Sequence, residues 1–369
     1  MTLTRRAFAA GLAAAPLLGR SFAGALLVRL KALGEGPALL NSYIVQPGGA
    51  AFDVTQANAA YVYDNALAGL LLLAAGERAA ASRIGQALSI AQAHDRTFSD
   101  GRLRNAYQAG PMTVPVKLAG FWDVAAARWD EDPYQLGAFT GPIAWAMLLW
   151  EALGMHAEAA WAGRFLASTL AAPHGFYGGL YGYDGAQQRL IWQSAEQNTD
   201  AAVAFRRLGL ADGGAAAFVR ALPPGASGLA PEGALNSLLA ADAGIWPYLA
   251  GLAPAAQARA AITALRRGNG IGFSAASDGV WLEGTAFAAL ALRRMRDPLA
   301  DVFLGTVAAN RTPEGYVYAC VDPVLSTGFT VGPSLQKGVP EQAFNYYRRG
   351  SLSATAWAGL AALGVDPLS

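Results

Sequence analysis

The sequence predicts an all-α protein in which six buried inner helices and six outer helices form a toroid. Apolar residues recur at helical spacing in block after block, whereas the alternation typical of strands is rare. These blocks also alternate between segments that are apolar nearly all round and amphipathic segments that carry the arginines. Two concentric rings of helices, built from a repeated hairpin, would produce this pattern.

Each ring has its own set of sequence blocks. The apolar blocks, predicted as inner helices, begin at Asp64, Gly141, Asp200, Leu235, Gly284 and Ser353. The amphipathic blocks begin at Glu77, His156, Gly213, Ala255 and Leu299, and LLVRLKALGEG supplies a sixth near the N-terminus. The connections from outer to inner helices are long, at residues 96–136, 173–195, 269–280 and 313–350. We expect them all on the face where inner helices begin, and long structured loops usually carry function.

Composition limits the classes of function. The 369 residues are 54% hydrophobic and 14% charged, which indicates a compact globular chain. The formal net charge is +1 and the basic residues are scattered, so no nucleic-acid partner is expected. One cysteine, Cys320, and three histidines far apart in sequence give no metal-ligand spacing. We therefore expect neither a metal nor a cofactor.

The first 23 residues are predicted to be an export signal. Arg5 and Arg6 are followed by Phe8, a short stretch rich in Ala and Leu, and a small-x-small ending at Ala23. This is the layout of a twin-arginine signal peptide, and its apolar run is too short to span a bilayer. The prediction is a periplasmic or secreted bacterial protein that uses the twin-arginine export machinery. After cleavage it would keep no stable membrane anchor and would form one domain over residues 24–369.

Polar residues gather where inner helices are predicted to begin. The segment LIWQSAEQNTDAAVAF carries Glu196, Asn198 and Asp200 at such a start. Similar positions elsewhere hold Asp64 and Glu283. Each of them could simply cap a helix or interact with its dipole. Aromatic residues accompany these acids, however: Trp192 precedes Glu196, Trp281 precedes Glu283, and Tyr63 precedes Asp64.

Acids flanked by aromatic rings indicate a carbohydrate site. Glycosidic cleavage requires one protonated carboxyl that donates to the leaving oxygen and a second carboxylate that activates water or attacks carbon. An apolar aromatic wall raises the pKa of a neighbouring carboxyl, which suits the acid role. We predict Glu196 as the general acid, with Glu283, Asp64 or Asp200 as its partner. Trp192, Trp281, Tyr63 and Asn198 are predicted to bind substrate.

A second polar stretch, SDGRLRNAYQAG at residues 99–110, has two interpretations. Its polar residues could form a hydrogen-bonding wall of the mouth, or a loop held together by Asp–Arg pairs. The candidate wall residues are Asp100, Arg102, Arg104, Asn105 and Tyr107. The stretch that follows again places acids beside aromatic residues, and there Trp122 is predicted to contact substrate.

Several of these segments resemble a known superfamily. VYDNALAGLLLLAAG, DGRLRNAYQAG, SAEQNTDAAVAF, WLEGTAFAALAL and SATAWAGLAALG are similar to bacterial exported proteins of the (α/α)6-toroid, or six-hairpin glycosidase, superfamily. The superfamily includes many glycoside hydrolases, some polysaccharide lyases and sugar epimerases, so the resemblance implies this fold and a role in carbohydrate metabolism. Where relatives more often have a histidine after the glutamate, this chain has Gln197. That difference disfavours an epimerase and leaves Glu196 and Asp200 as the transferable acids.

Three hypotheses follow. The first is an exported glycoside hydrolase acting on a polysaccharide or oligosaccharide through carboxylate acid/base catalysis. The second is a lyase on an acidic polysaccharide, with Tyr107 as base beside Arg102, Arg104 and Asn105. The third is a non-catalytic toroid that binds glycan or a partner protein during envelope polysaccharide export.

Overall fold

The computed structural model describes the backbone of residues 5–331 and 342–369, and the side chains of residues 15–331 and 343–369. Within these residues twelve helices form an (α/α)6 toroid, which confirms the predicted fold class. Outer and inner helices alternate along the chain. Each inner helix packs on the next, and the last packs on the first, which closes the ring.

The helices are numbered here in chain order, so that odd numbers are outer and even numbers inner. The outer helices are α1 (Arg5–Ala32), α3 (Arg78–Ala93), α5 (His156–Phe165), α7 (Ala215–Ala221), α9 (Ala255–Ala264) and α11 (Leu299–Ala309). The inner helices are α2 (Val62–Ala74), α4 (Thr140–Leu153), α6 (Ala195–Arg207), α8 (Ala241–Leu249), α10 (Leu282–Arg294) and α12 (Leu352–Leu363). A π-helical turn, Leu166–Leu170, extends α5, and short helices Ala51–Gln56 and Pro133–Leu136 lie in long connections.

Short antiparallel strands cover the face where inner helices begin. The pairs are Ala38–Leu39 with Gly110–Pro111, Ala59–Tyr61 with Ala106–Gln108, Phe121–Asp123 with Arg128–Asp130, Arg266–Arg267 with Gly270–Ile271, and Val324–Val331 with Gln342–Tyr347. Three-stranded sheets join Gln188–Leu190, Gly179–Tyr181 and Ala138–Phe139; Gln193–Ser194, Gly228–Leu229 and Leu235–Asn236; and Val317–Tyr318, Gly350–Ser351 and Tyr43–Ile44.

These strands fix the starts of the inner helices. The residue before each inner helix is extended and lies in a strand or an isolated bridge: Tyr61, Phe139, Ser194, Ala240, Trp281 and Ser351. The backbone enters each inner helix from a hydrogen-bonded position, so the first side chains of the helix have a defined direction. The mouth of the toroid is therefore held by backbone pairing.

Two predicted helix starts were wrong. The fourth inner helix begins at Ala241 rather than Leu235, because Leu235–Asn236 pairs with Gly228–Leu229 and Ala240 bridges to Ser274. The third begins at Ala195 rather than Asp200. Asp200 consequently lies a full helical turn below the mouth, where the chain is fully buried.

Helix α1 is an integral outer helix that packs against α12 and α2. Phe22, Leu26 and Leu30 are fully buried. Gly19 allows the close approach, since a Cβ there would lie 2.6 Å from Leu363 Cγ. The predicted cleavage position near Ala23 thus falls inside a packed helix, and cleavage there would remove Phe22 from the core. No helix among the described residues is both long and apolar enough to cross a membrane.

Truncation of Phe22 tests whether α1 belongs to the folded domain. Phe22→Ala in the full chain should lower the free energy of unfolding by about 3–5 kcal/mol, because it leaves a cavity in the core beside α1. Urea unfolding followed by circular dichroism measures this loss. Leu17→Ala is the matched control, since Leu17 is on the same helix and 71% exposed. Equal stability of both variants would show that the packing of α1 is dispensable.

Candidate active site

The second residue of every inner helix lines one central cavity. These residues, here called the upper ring, are Tyr63, Gly141, Glu196, Asp242, Glu283 and Ser353. Their equivalence follows from the shared way in which a strand residue leads into each helix. The cavity they surround has a volume of about 1560 Å³, which is larger than a typical single-ligand pocket.

One helical turn deeper, the sixth residues of the inner helices form a lower ring. They are Leu67, Trp145, Asp200, Trp246, Phe287 and Trp357. The four aromatic side chains contact one another with ring centroids 5.5–5.7 Å apart, within the favourable range for aromatic pairs. They are almost fully buried and fill the centre of the toroid. The cavity therefore ends blindly at this aromatic floor.

Glu283 is the most firmly held acid of the upper ring. Tyr63 donates a hydrogen bond of 2.6 Å from its hydroxyl to Oε1, and Ser353 Oγ donates one of 2.6 Å to Oε2. Trp357 Nε1 in turn donates to the Tyr63 hydroxyl at 2.8 Å. Burial raises the pKa of Glu283 to about 7, although both hydroxyl donors oppose the shift. Side chains from α2 and α12 thus orient the carboxyl group of Glu283 on α10.

Glu196 and Asp242 are neighbours in the upper ring and titrate as a linked pair. Burial raises the pKa of Glu196 well above its ordinary value, and the Asp242 carboxylate is the largest charge contribution to this shift. Burial also raises the pKa of Asp242, to about 6, while backbone N–H groups at the start of α8 oppose it. Two adjacent carboxyl groups cannot both ionise cheaply. Of the two, Glu196 holds its proton more strongly, and Asp242 ionises first.

Two further acids border the cavity. Burial raises the pKa of Asp64 to about 8, opposed by a hydrogen bond from Ser42 and reinforced by Glu283. Burial and the Asp242 charge likewise raise the pKa of Asp200, and the Trp145 indole opposes this shift. The cavity wall therefore carries five carboxyl groups within its two rings and beside them, and no arginine or lysine belongs to either ring.

Most of the residues predicted from the sequence meet in this cavity. Its lining includes the four predicted acids Glu196, Glu283, Asp64 and Asp200, together with Trp192, Trp281, Tyr63 and Asn105. Long connections from different parts of the chain bring them together, as the loop lengths indicated. Sequence reasoning missed Asp242, because ADAGIW was placed in the middle of a helix instead of at its start.

The stretch at residues 99–110 is mainly a braced loop, and Asn105 alone of its candidate wall residues lines the cavity. Arg102 pairs with Asp100 at 2.5 Å. Arg104 is fully buried and pairs with Asp95 at 2.5 Å and with Asp184 at 2.6 Å. These arginines and Asp100 do not line the cavity, so the alternative interpretation of Asp–Arg pairs describes them.

Three other predicted contacts also lie outside the cavity lining. Tyr107 is fully buried, and its hydroxyl accepts a hydrogen bond from the Arg104 backbone N–H at 2.9 Å. The Asn198 amide is satisfied by Phe176 and Ser194, so it anchors a loop to α6. Trp122 is 55% exposed on a hairpin, and its cross-strand partner Trp129 lines the cavity instead. The periodicity of the sequence could not give these orientations.

Among the residues whose side chains are described, no group of three or more His, Cys, Asp or Glu side chains is arranged to hold a metal ion. Cys320 is buried, and its thiol donates to the Asp322 carbonyl. The carboxyl groups of the cavity are the candidates for its chemistry.

Solved structures share this fold. A wild-type glycosidase matches over 100% of both chains with a TM-score of 0.59 and 13% sequence identity. A glycosidase variant in complex with glucose also matches over 100% of both chains, with a TM-score of 0.61 and 14% identity. At such low identity the likeness establishes the (α/α)6 fold alone. No protein-family profile and no curated protein matches the chain.

Removal of the buried guanidinium of Arg104 should destabilise the fold. Arg104→Met leaves the carboxylates of Asp95 and Asp184 without their buried partner, which costs about 3–5 kcal/mol. Chemical unfolding measures the change. Arg128→Met is the control, because Arg128 pairs with Asp130 at the exposed surface and should alter stability little. Similar small losses in both variants would mean that the braced loop does not depend on Arg104.

The raised pKa of Asp64 should appear in the pH dependence of stability. Folding favours the protonated form, so its contribution is complete below pH 4 and is lost as pH rises to about 8. Stability of the wild type should therefore fall more steeply between pH 5 and 8 than stability of Asp64→Asn. The difference in slope approaches about 1.4 kcal/mol per pH unit. Parallel curves from denaturant titrations at several pH values would contradict the assignment.

Proposed function

We propose that the protein is a glycoside hydrolase in which Glu196 donates a proton to the leaving oxygen and Asp242 acts as the partner carboxylate. The observation that carries this proposal is the divergence of the two pKa values within one aromatic-lined cavity. Burial and the Asp242 charge raise the pKa of Glu196 well above its ordinary value, whereas the pKa of Asp242 is about 6. Neighbouring carboxyls with separated pKa values are the arrangement that glycoside hydrolysis requires.

The reaction can be followed atom by atom. Glu196 transfers its proton to the glycosidic oxygen as the bond from that oxygen to the anomeric carbon breaks. Asp242 either takes a proton from a water molecule that attacks this carbon or attacks the carbon directly, in which case water releases the sugar afterwards. Both routes consume one water. In the first route the proton from water stays on Asp242, and exchange with solvent returns Asp242 to its ionised form and Glu196 to its protonated form. In the second route Glu196 takes the proton from the water that releases the sugar.

Glu283 and Asp64 have supporting roles in this proposal. Glu283 is fixed by Tyr63 and Ser353, and it faces the space beside Asp242. A carboxyl group with a pKa of about 7 can both donate to and accept from a sugar hydroxyl. Asp64 lies near Glu283, since the Glu283 charge contributes to the raised pKa of Asp64. We therefore infer that both bind hydroxyl groups of the substrate.

The charges of the cavity favour a neutral sugar. Eight carboxyl groups line the binding space, because Asp130, Glu131 and Asp132 add to the five already described, and the arginines that line it, Arg128 and Arg189, are exposed. A uronate carboxylate would meet acids there and no buried guanidinium. The lyase hypothesis also loses its proposed base, because the Tyr107 hydroxyl is engaged outside the cavity. A solved glycosidase of this fold binds glucose, so neutral glucans are the first substrates to test.

The proposal extends to location. The twin-arginine pattern at the N-terminus supports export of the folded protein to the periplasm or beyond, where it would meet polysaccharide or oligosaccharide. The packing of α1 implies that a mature form keeps the buried part of this helix.

Isosteric amide variants test the catalytic pair. Glu196→Gln and Asp242→Asn should each lower kcat by about 10²- to 10⁴-fold, because neither amide can transfer a proton. Glu158→Gln is the control: it removes a carboxylate from outer helix α5 and should keep full activity. Reducing-end release from α-glucans, β-glucans and uronate polymers measures the rates. The wild type should be active between a lower limb near pH 6 and an upper limb set by Glu196.

Two outcomes would count against this assignment. Full activity of the Glu196→Gln variant would show that Glu196 is not the general acid. Retained sugar binding without hydrolysis of any polymer by the wild type would instead favour the glycan-binding toroid. If Asp242→Asn has residual activity, its upper pH limb should move to lower pH, since the charge that raises the pKa of Glu196 is gone.

A further inference from the structure

Asp200 is a buried acid without a hydrogen-bond partner. Its side chain is fully buried, yet it borders the cavity, and neither carboxylate oxygen has a partner among the described side chains or backbone. Buried polar groups in folded proteins are nearly always satisfied, so an orphaned acid at the edge of a cavity needs an explanation. The catalytic scheme above does not use Asp200.

Orphaned donors lie at the same depth. The indole N–H groups of Trp145 and Trp246, both in the lower ring, also lack partners among the described residues. The Trp145 indole is close enough to Asp200 to influence its pKa but forms no hydrogen bond with it. All three residues line the cavity, and unpaired acceptors and donors there are complementary to a hydroxyl group, which can donate and accept at once.

A glycine lies against this acid. Gly141 is the only member of the upper ring without a side chain. A Cβ at this position would lie 3.0 Å from Gln197 Cγ and 3.2 Å from Asp200 Oδ2. The backbone of α4 therefore packs closely on Gln197 and Asp200, and a side chain at position 141 would displace them.

The aromatic floor lies close below Glu196. Asp200 lies four residues, or about 6 Å along the helix, below Glu196. Beneath it the packed rings of Trp145, Trp246 and Trp357 close the toroid. A sugar chain cannot pass through this floor. When a glycosidic bond lies beside Glu196, the space between that bond and the floor therefore holds little more than one sugar ring.

We propose that Gly141, Trp145, Trp246 and Asp200 form a blind subsite for hydroxyl groups of a terminal neutral hexose, so that the protein cleaves from a chain end. The proposal rests on the hydrolase function above but makes a separate claim. It assigns Asp200 to recognition of the terminal sugar instead of to the chemical step. It also makes the product a monosaccharide.

The binding test uses D-glucose, D-galactose and D-mannose with the full chain carrying Glu196→Gln, so that catalysis plays no part. Tryptophan fluorescence and calorimetry measure affinity. Asp200→Ala should weaken the preferred hexose at least tenfold, whereas Asp200→Asn should weaken it less, because an amide can still donate and accept. Gly141→Ala should also weaken it, because the added methyl group would displace Asp200 and Gln197. Thr199→Val, a neighbouring change on α6 that faces away from the cavity lining, should leave binding unchanged.

Deoxy derivatives of the preferred hexose identify the contact. One deoxy derivative and the parent hexose should bind the Asp200→Ala variant with equal affinity. The hydroxyl missing from that derivative is then the one that Asp200 contacts, so both changes remove the same hydrogen bond. Wild-type affinity in Asp200→Ala, or no binding of any of the three hexoses at millimolar concentration, would overturn the subsite.

Product analysis separates this proposal from the hydrolase function. With oligosaccharides labelled at the reducing end, the wild type should release monosaccharide from the first time point, with chains shortened one unit at a time. Early products of mixed length would overturn the blind subsite while leaving the hydrolase intact. Hexose binding that depends on Asp200, without hydrolysis of any substrate, would support the subsite and reject the hydrolase.

Discussion

The structure depends on one constraint: the inner helices are buried along most of their length, and the central cavity meets them at their first turns. Outer helices cover their flanks, neighbouring inner helices cover their sides, and the aromatic floor fills the centre. Chemistry that needs solvent is therefore possible only where inner helices begin. Six helix N-termini, each a centre of partial positive charge, converge there. Acids placed at this end experience low dielectric and favourable helix dipoles together.

Backbone pairing at the mouth converts this constraint into a site. Because an extended, hydrogen-bonded residue precedes each inner helix, the second residues of all six helices point into the same space. Tyr63 and Ser353 can then fix Glu283 although they are 220 and 70 residues away in sequence. The same geometry makes Glu196 and Asp242 neighbours, and their mutual repulsion separates their pKa values.

Charge is distributed unevenly between the cavity and its surroundings. In the braced loop, Arg104 neutralises Asp95 and Asp184, so these acids hold the loop in place. In the two rings of the cavity the acids face one another with no arginine or lysine among the ring residues, and burial raises the pKa of several of them. Similar residues thus have opposite roles: an acid beside a buried arginine stabilises the fold, whereas an acid in the cavity is available to exchange protons.

The sequence alone determined the class of fold and the region of the site. Helical periodicity, the alternation of two helix types and the long connections on one side depend on local spacing, which a sequence displays directly. They predicted the toroid and brought Glu196, Glu283, Asp64 and Trp192 to its mouth. Only the tertiary structure decided which residues face the cavity. Short strands shifted the start of α8 to Ala241 and of α6 to Ala195, which revealed Asp242 and moved Asp200 to the floor. Pairing between distant strands sets such boundaries, and no local pattern records it.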